Sequence, residues 1–386
     1  MRLVFFAGRM PDLCGAFLHD IDLAIELEKR GHEVVFMSLE VPKAGVNGGE
    51  YRGFKYMHFS AGGKYLDSSE GWICPHSPAL PDVRKLNNRG YDRPIIATCH
   101  FDGSYTSITK NNPGRKIQWV EMLMFINATM EPNYKKNVVP WPPNIMRTAV
   151  VRPLMHEHKI RINEPFRGDC ITLVNANQNK GVTQFIDLAK RMPDRKFLGV
   201  LPYYGELRVP PSPGNIEWVP FDDDIRTILK RTRILVMPSY YESFGRIGVE
   251  AMYNGIPVLY STPTSNTKYP GGSTEGMEEW ITPAGISCDR EKVDEWMNAI
   301  VSLDNEEDYV ARSDLVRAHI QSLNLFTEGS RIAGLVEQFV REHPVKIQTP
   351  RQQMEAQLQT PQQVATRIVQ PVGQVGFSNG RLRIKR

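Results

Sequence analysis

Two glutamates, Glu242 and Glu250, stand eight residues apart in the stretch ILVMPSYYESFGRIGVEAMYNGIPVLY, residues 234–260. Between them Ser243, Phe244, Gly245 and Arg246 open a helical pattern. A helix N-terminus offers unpaired N–H groups and the positive end of a dipole, so this turn suits an anion. Lys180 stands beside Gly181 at a second strand-to-helix turn, where an ammonium is well placed for a phosphate. His100 and Asp102 follow another apolar run, the position in which α/β proteins carry site residues. The plain alternative is a buried α/β segment with incidental glutamates and a hydrogen-bonded structural histidine.

The elements that must hold these residues are readable from period and punctuation. Ile234–Met237 is a buried strand, Phe244–Tyr253 a helix stopped by Gly255 and Pro257, and Pro257–Tyr260 the next strand, a βαβ unit. The chain opens the same way. Arg2–Ala7 is a strand, Gly8–Gly15 a loop, Ala16–Arg30 a helix and His32–Leu39 a strand. The first turn lacks GxGxxG, so Gly15 reads as a close-approach position for a ligand and not as part of a dinucleotide fingerprint. Tyr51–Ser60 predicts a strand, Gly62–Pro81 a loop, Pro94–Cys99 and Glu121–Ile126 strands. Lys110, Arg115 and Lys116 beside Trp119 form a basic loop, either a phosphate grip with a stacking ring or an ordinary solvated loop. Val138–Asn144 holds Pro140, Pro142 and Pro143 and reads as an interdomain hinge.

Cys170–Ala176 starts a second α/β unit, followed by a helix over Val182–Met192 and strands near Lys196–Leu201 and Asn215–Val219. Asp222-Asp223-Asp224 contains DxD, a metal signature in some nucleotide-sugar enzymes, but directly before a helix it reads as a cap. Ser261–Gly276 is a loop, and Val293–Leu303, Asp308–Leu323 and Phe326–His343 are helical. The division is 1–150, 151–325, a terminal helix 326–343 packing back on the first domain, and a disordered tail 344–386.

The 386 residues carry a net charge of only +4, which does not by itself mark a nucleic-acid binder. The charge is uneven: from Glu342 onward seven basic residues face two acidic ones. Cys14, Cys74, Cys99, Cys170 and Cys288 are widely spaced without CxxC, as expected of free thiols in a cytoplasmic protein. No apolar run approaches the ~20 residues of a membrane span. Nothing in the sequence sets an oligomeric state.

The segment PSYYESFGRIGVEAMYNGIPV resembles the glutamate-x7-glutamate signature of retaining glycosyltransferases of the GT-B, GT4-like group. Gly15, His100 and Lys180-Gly181 follow that group's order, over roughly residues 1–340. The resemblance implies two Rossmann-like doubly wound domains facing across a cleft. The N-terminal one would hold the acceptor, the C-terminal one a nucleoside-diphosphate sugar, by default UDP-glucose. Glu242 would touch the donor sugar, Glu250 the ribose hydroxyls, and Lys180 the diphosphate; backbone N–H groups around Ser243–Arg246 would hold the donor, and His100 would lie near the reacting centre. With protein cations at the diphosphate, no metal or other cofactor is expected.

One position departs from the group. Its arginine about five residues before the lysine is here Asn175, and Arg246 is the expected replacement, with Arg147 and Arg152 behind it. The opening RLVFFAGRM…LCG, the strand GHEVVF and CHFD resemble phage enzymes that glucosylate hydroxymethylated cytosine in DNA. That resemblance makes DNA the leading acceptor, with Asp102, Lys110, Arg115, Lys116 and Trp119 on the acceptor side. A lipid, glycan or small-molecule acceptor is the alternative, as is a sugar-nucleotide or nucleic-acid binding protein without catalysis.

Overall fold

The computed structural model of the chain describes residues 1–11, 14–75, 80–100, 120–138, 141, 143–203, 209–262 and 274–344. Two sheets organise them. The first has eight strands in the order β3-β4-β2-β1-β5-β6-β7-β8: β1 (Arg2–Ala7), β2 (Glu33–Ser38), β3 (Gly49–Tyr51), β4 (Phe54–His58), β5 (Gly71–Pro75), β6 (Ile95–Cys99), β7 (Met122–Phe125) and β8 (Arg147–Val150). Only the β3–β4 pairing is antiparallel. The second has six, all parallel, in the order β11-β10-β9-β12-β13-β14. These are β9 (Cys170–Val174), β10 (Lys196–Val200), β11 (Ile216–Val219), β12 (Thr232–Met237), β13 (Val258–Ser261) and β14 (Ile286–Cys288). Both are doubly wound sheets, which place sites at their carboxyl ends.

Parallel strands are covered on both faces, so their sequences are apolar runs without alternation. β6 (IIATC) and β7 (MLMF) are buried throughout, as read from sequence. β5 was a different matter. The expected loop Gly62–Pro81 contains a helix, Gly63–Ser68, and β5 itself, which pairs with both β1 and β6 near the middle of the sheet. GWICP carries a glycine and a proline and no alternation, so it offered neither strand signal. Tyr51–Ser60 likewise resolves into a hairpin, β3 and β4, turning at Arg52 and Gly53, both with positive φ. Helix Glu275–Ile281 begins inside the expected loop Ser261–Gly276, and β14 lies in a stretch without an assigned element.

The proline-rich segment 138–144 is not the passage between domains. Residues 139, 140 and 142 of it lie outside the described residues, but β8 follows it and pairs with β7, so the chain crosses to the second sheet only at 151–169. Helix Glu328–Glu342 returns to the first sheet. Val336, Phe339 and Val340 are buried in its core, and Arg30 and Arg147 pair with Glu337 and Glu342 at 3.1 and 2.7 Å. No helix among the described residues is long and apolar enough to cross a membrane. The tail beyond residue 344 lies outside the described residues.

Phe339 is wholly buried where this returning helix meets the first sheet's core. Truncation to alanine removes an aromatic side chain from a packed site. We expect Phe339→Ala to lower stability by about 3–5 kcal/mol, read by urea denaturation.

Candidate active site

A cavity of about 900 Å³ opens between the two sheets. From the first domain it is walled by Gly15 and Arg52, and from the second by Asn175, Lys180, Glu242, Arg246 and Glu250. Gly15 is the first residue of helix Gly15–Lys29, and the space where a Cβ would stand is open. The close-approach reading of Gly15 thus meets a surface that a ligand can reach.

Lys180 owes its place to a short 3-10 turn, Gln178–Lys180, capped by the Asn177 side chain, which accepts from the Lys180 N–H. Gly181 follows at φ +82°, packed so closely on Pro238 that a Cβ would sit 2.1 Å from the Pro238 carbonyl oxygen. Only glycine supplies both that conformation and that clearance. The turn brings the Lys180 ammonium to 2.5 Å from Glu242 Oε2, which also accepts from Ser239 Oγ at 3.3 Å.

Helix Arg246–Tyr253 starts two residues later than its pattern suggested, because Gly245 is in the left-handed region at φ +75° and caps it. Phe244 therefore faces the core, its ring 5.5 Å from that of Trp280. The Ser243 carbonyl accepts from Asn127 of the first domain at 2.7 Å. Ser243, Phe244 and Gly245 shape the turn behind the wall, whereas Glu242, Arg246 and Glu250 are the wall itself.

Arg246 does not stand free for a phosphate. Its Nε donates to Glu250 Oε1 at 2.8 Å, Nη1 to the Leu154 carbonyl at 2.8 Å, and Nη2 to Asp22 Oδ2 at 3.0 Å. The two carboxylates hold the buried guanidinium charged against the cost of desolvation. Burial pushes the Glu250 carboxyl up, and Arg246 opposes that. Arg147 and Arg152 pair with Glu342 and Glu279 and do not line the cavity. Asn175 does line it, in a left-handed conformation at φ +63° that asparagine tolerates better than most residues.

Other cavity cations were missed in the sequence. Lys159 reaches Asp22 at 2.7 Å, and Arg226 forks onto Asp224. Arg52, at the tip of the β3–β4 hairpin, crosses to Asp223 of the second domain at 2.5 Å. The Tyr51-Arg52-Gly53-Phe54 turn was the one available signal, since a glycine between strand-like residues marks a hairpin. The aspartate triplet behaves as a cap: Asp224 accepts from the Arg226 N–H at 3.1 Å and Asp222 from the Asp224 N–H at 2.9 Å.

His100 is not in the cavity wall. It sits edge-on to His19, ring centroids 5.1 Å apart, beside Asp20. The ligand atoms of these three lie within 4.8 Å of one another, the spacing of a metal cluster. The chemistry of His19 opposes that use. Its Nδ1 accepts from the Leu154 N–H at 3.2 Å, so in the neutral ring Nε2 carries the proton and has no lone pair for a metal. Asp102, Lys110, Arg115, Lys116 and Trp119, expected on the acceptor side, lie outside the described residues.

The family described as Glycosyl transferases group 1 matches residues 212–312, a span that includes Glu242, Arg246 and Glu250. The match lies within the second domain. A stretch of 123 residues is 24% identical to the D-inositol 3-phosphate glycosyltransferase of Corynebacterium kroppenstedtii, 32% of this chain and 25% of that one. The match spans a quarter of that curated relative. Among solved structures, sucrose-phosphate synthase from Thermosynechococcus elongatus superposes with a TM-score of 0.67 at 12% identity, over 89% of this chain and 100% of the other. Anabaena HepE in complex with UDP-glucose gives 0.67 at 15% identity, over 88% and 100%. These likenesses establish the glycosyltransferase GT-B fold, two parallel-sheet domains around a cleft.

Burial lowers the pKa of His19 to about 3 and that of His100 well below the usual value, so both are neutral in the fold. The unfolded chain takes up their protons near pH 6.5, so stability is lost as pH falls below that value, by about 1.4 kcal/mol per unit for each ring. Asp20, its carboxyl raised by burial, acts with the opposite sign but is one group against two. Denaturation midpoints should therefore fall between pH 6.5 and 5, and His19→Asn should flatten the slope; an unchanged slope would place the cause elsewhere.

Proposed function

We propose that the protein moves a hexosyl group, by default glucose, from a nucleoside-diphosphate sugar such as UDP-glucose to an acceptor hydroxyl, with retention of configuration. The observation that carries this reading is the Lys180–Glu242 pair at the edge of an interdomain cavity, with Glu250 one helix face away. In the reaction the bond between the sugar's anomeric carbon and the diphosphate oxygen breaks. A bond to the acceptor oxygen forms on the same face, and the acceptor's proton passes to the departing phosphate. Lys180 stabilises the charge that develops on the leaving group, Glu242 accepts hydrogen bonds from the sugar and Glu250 from the ribose. The helix N-terminus after Gly245 adds its dipole. The Lys180 ammonium and the helix N-terminus in these places support a reaction without a divalent metal.

For the acceptor we infer a hydroxymethylated pyrimidine in DNA. The phage-enzyme likeness of the first domain's opening supports it, as do the basic residues of the loop and tail, which suit sequence-independent phosphate contacts. A base in a duplex would have to be flipped to reach the cleft.

Lys180→Ala should lower turnover by about two to three orders of magnitude, measured as nucleotide release; a near-normal rate removes Lys180 from the leaving-group site. Incubating sugar nucleotides with hydroxymethylated DNA, plain DNA and cell-envelope extract, read by mass shift, tests the acceptor. A hexose added only to hydroxymethylated DNA, with yield falling steeply as salt is raised, is the expected result. Labelled envelope material with unmodified DNA would overturn the DNA reading and leave the donor chemistry standing.

A further inference from the structure

Asp22 belongs to the first domain, on helix Gly15–Lys29, yet its carboxylate serves the second. It is 2% exposed. Lys159 donates to Oδ1 at 2.7 Å, Arg246 donates to Oδ2 at 3.0 Å, and the buried ring of His156 approaches within 3.6 Å. Arg246 in turn donates to Glu250 through Nε. A guanidinium is planar and rigid, so fixing one edge on Asp22 and another on the Leu154 carbonyl fixes the direction of its Nε–H. Asp22, Arg246 and Glu250 thus form one chain of charge-assisted hydrogen bonds running from the acceptor domain into the donor wall.

We propose that Asp22 is a positioning residue for the donor's ribose, acting through Arg246 to keep Glu250 aimed. This rests on the reading that Glu250 accepts the ribose hydroxyls. Glu250 and Arg246 are both buried, and Arg246 divides its donors between Glu250, the Leu154 carbonyl and Asp22, so the direction of the bond to Glu250 depends on the other two. With Asp22 neutral, the guanidinium is held by Glu250 and a carbonyl alone, and its fork is free to turn. Because Asp22 and Glu250 come from different domains, the ribose site is complete only when the domains are together.

The test compares binding of UDP with that of 2′,3′-dideoxyuridine diphosphate, by calorimetry and without any acceptor. The native protein should prefer UDP. Asp22→Asn should weaken UDP binding by about tenfold to a hundredfold, the range for a charged hydrogen bond, and leave the dideoxy compound's Kd within about threefold, the everyday scatter between contexts. A general loosening of the fold would weaken both nucleotides alike, and that outcome overturns the proposal. If Asp22→Asn does not fold, Arg246→Lys serves instead, since an ammonium cannot span Asp22 and Glu250 in a fixed plane; it should show the same selective loss. Glu250→Gln separates the two levels. If it erases the preference for UDP while Asp22→Asn leaves it intact, the relay falls and the ribose reading stands. If Glu250→Gln keeps the full preference, the ribose reading itself falls, and the relay with it.

Discussion

A guanidinium buried between two carboxylates and a carbonyl ties the two sheets of this molecule together. Arg246 rises from the first turn of a second-domain helix, Asp22 from the first helix of the other domain, and Leu154 from the segment that crosses between them. Burying these charges is costly, and the cost is offset only while every partner is present; removing one partner of such a pair typically costs about 3–5 kcal/mol. The arrangement is therefore poor as a source of stability and good as a source of register. It fixes how the domains meet beside the cavity that both of them line. Asn127 and Ala128 add bonds to the Ser243 carbonyl and to Glu279 farther along the same face.

The same economy of charge runs through the whole cavity. Lys180 pairs with Glu242, Arg52 with Asp223, Arg226 with Asp224, Lys159 with Asp22 and Arg246 with Glu250. A diphosphate entering this space does not meet a bare cationic pocket. It must exchange one carboxylate partner for another, and Glu242 gives up Lys180 cheaply only if sugar hydroxyls take its place. On the proposed function, recognition of the sugar and neutralisation of the leaving group are two sides of one exchange, which favours a whole sugar nucleotide over free diphosphate. Arg52 fits this picture from the other side. It is held at φ +50°, in a region that costs a non-glycine residue about 1–2 kcal/mol, and such strain persists only where the surroundings over-determine it.

What the sequence disclosed and what it withheld divide by distance along the chain. The strand, turn and helix that carry Glu242 and Glu250 were legible because an apolar run, a glycine-proline stop and a helical period occur within one short stretch. Lys180-Gly181 was legible for the same reason. The helix register at Gly245 was off by two residues because a left-handed cap cannot be told from any other glycine. β5 was lost because a strand buried on both faces needs no alternation and can be five residues long. Arg246 was assigned to phosphate because its local setting, a helix N-terminus, invites an anion. The anions it found were Glu250, four residues on, and Asp22, 224 residues earlier. No local pattern encodes the second.

His100 shows the same limit from the opposite direction. Its position after β6 is where a doubly wound domain presents site residues, and that much was correct. Its environment was not readable. His19 lies beside it because the first helix runs back under the strand ends, and together with Asp20 they make a buried polar group whose charge is suppressed by desolvation. A neutral imidazole can still donate or accept one hydrogen bond, but it cannot neutralise a phosphate. Among the cavity cations, Lys180 and Arg226 are the two whose carboxylate partners, Glu242 and Asp224, lie wholly in the second domain, and Asp224 is also occupied in capping the helix that carries Arg226. On the proposed function, that leaves Lys180 as the group that changes partners during the reaction without loosening the contact between domains.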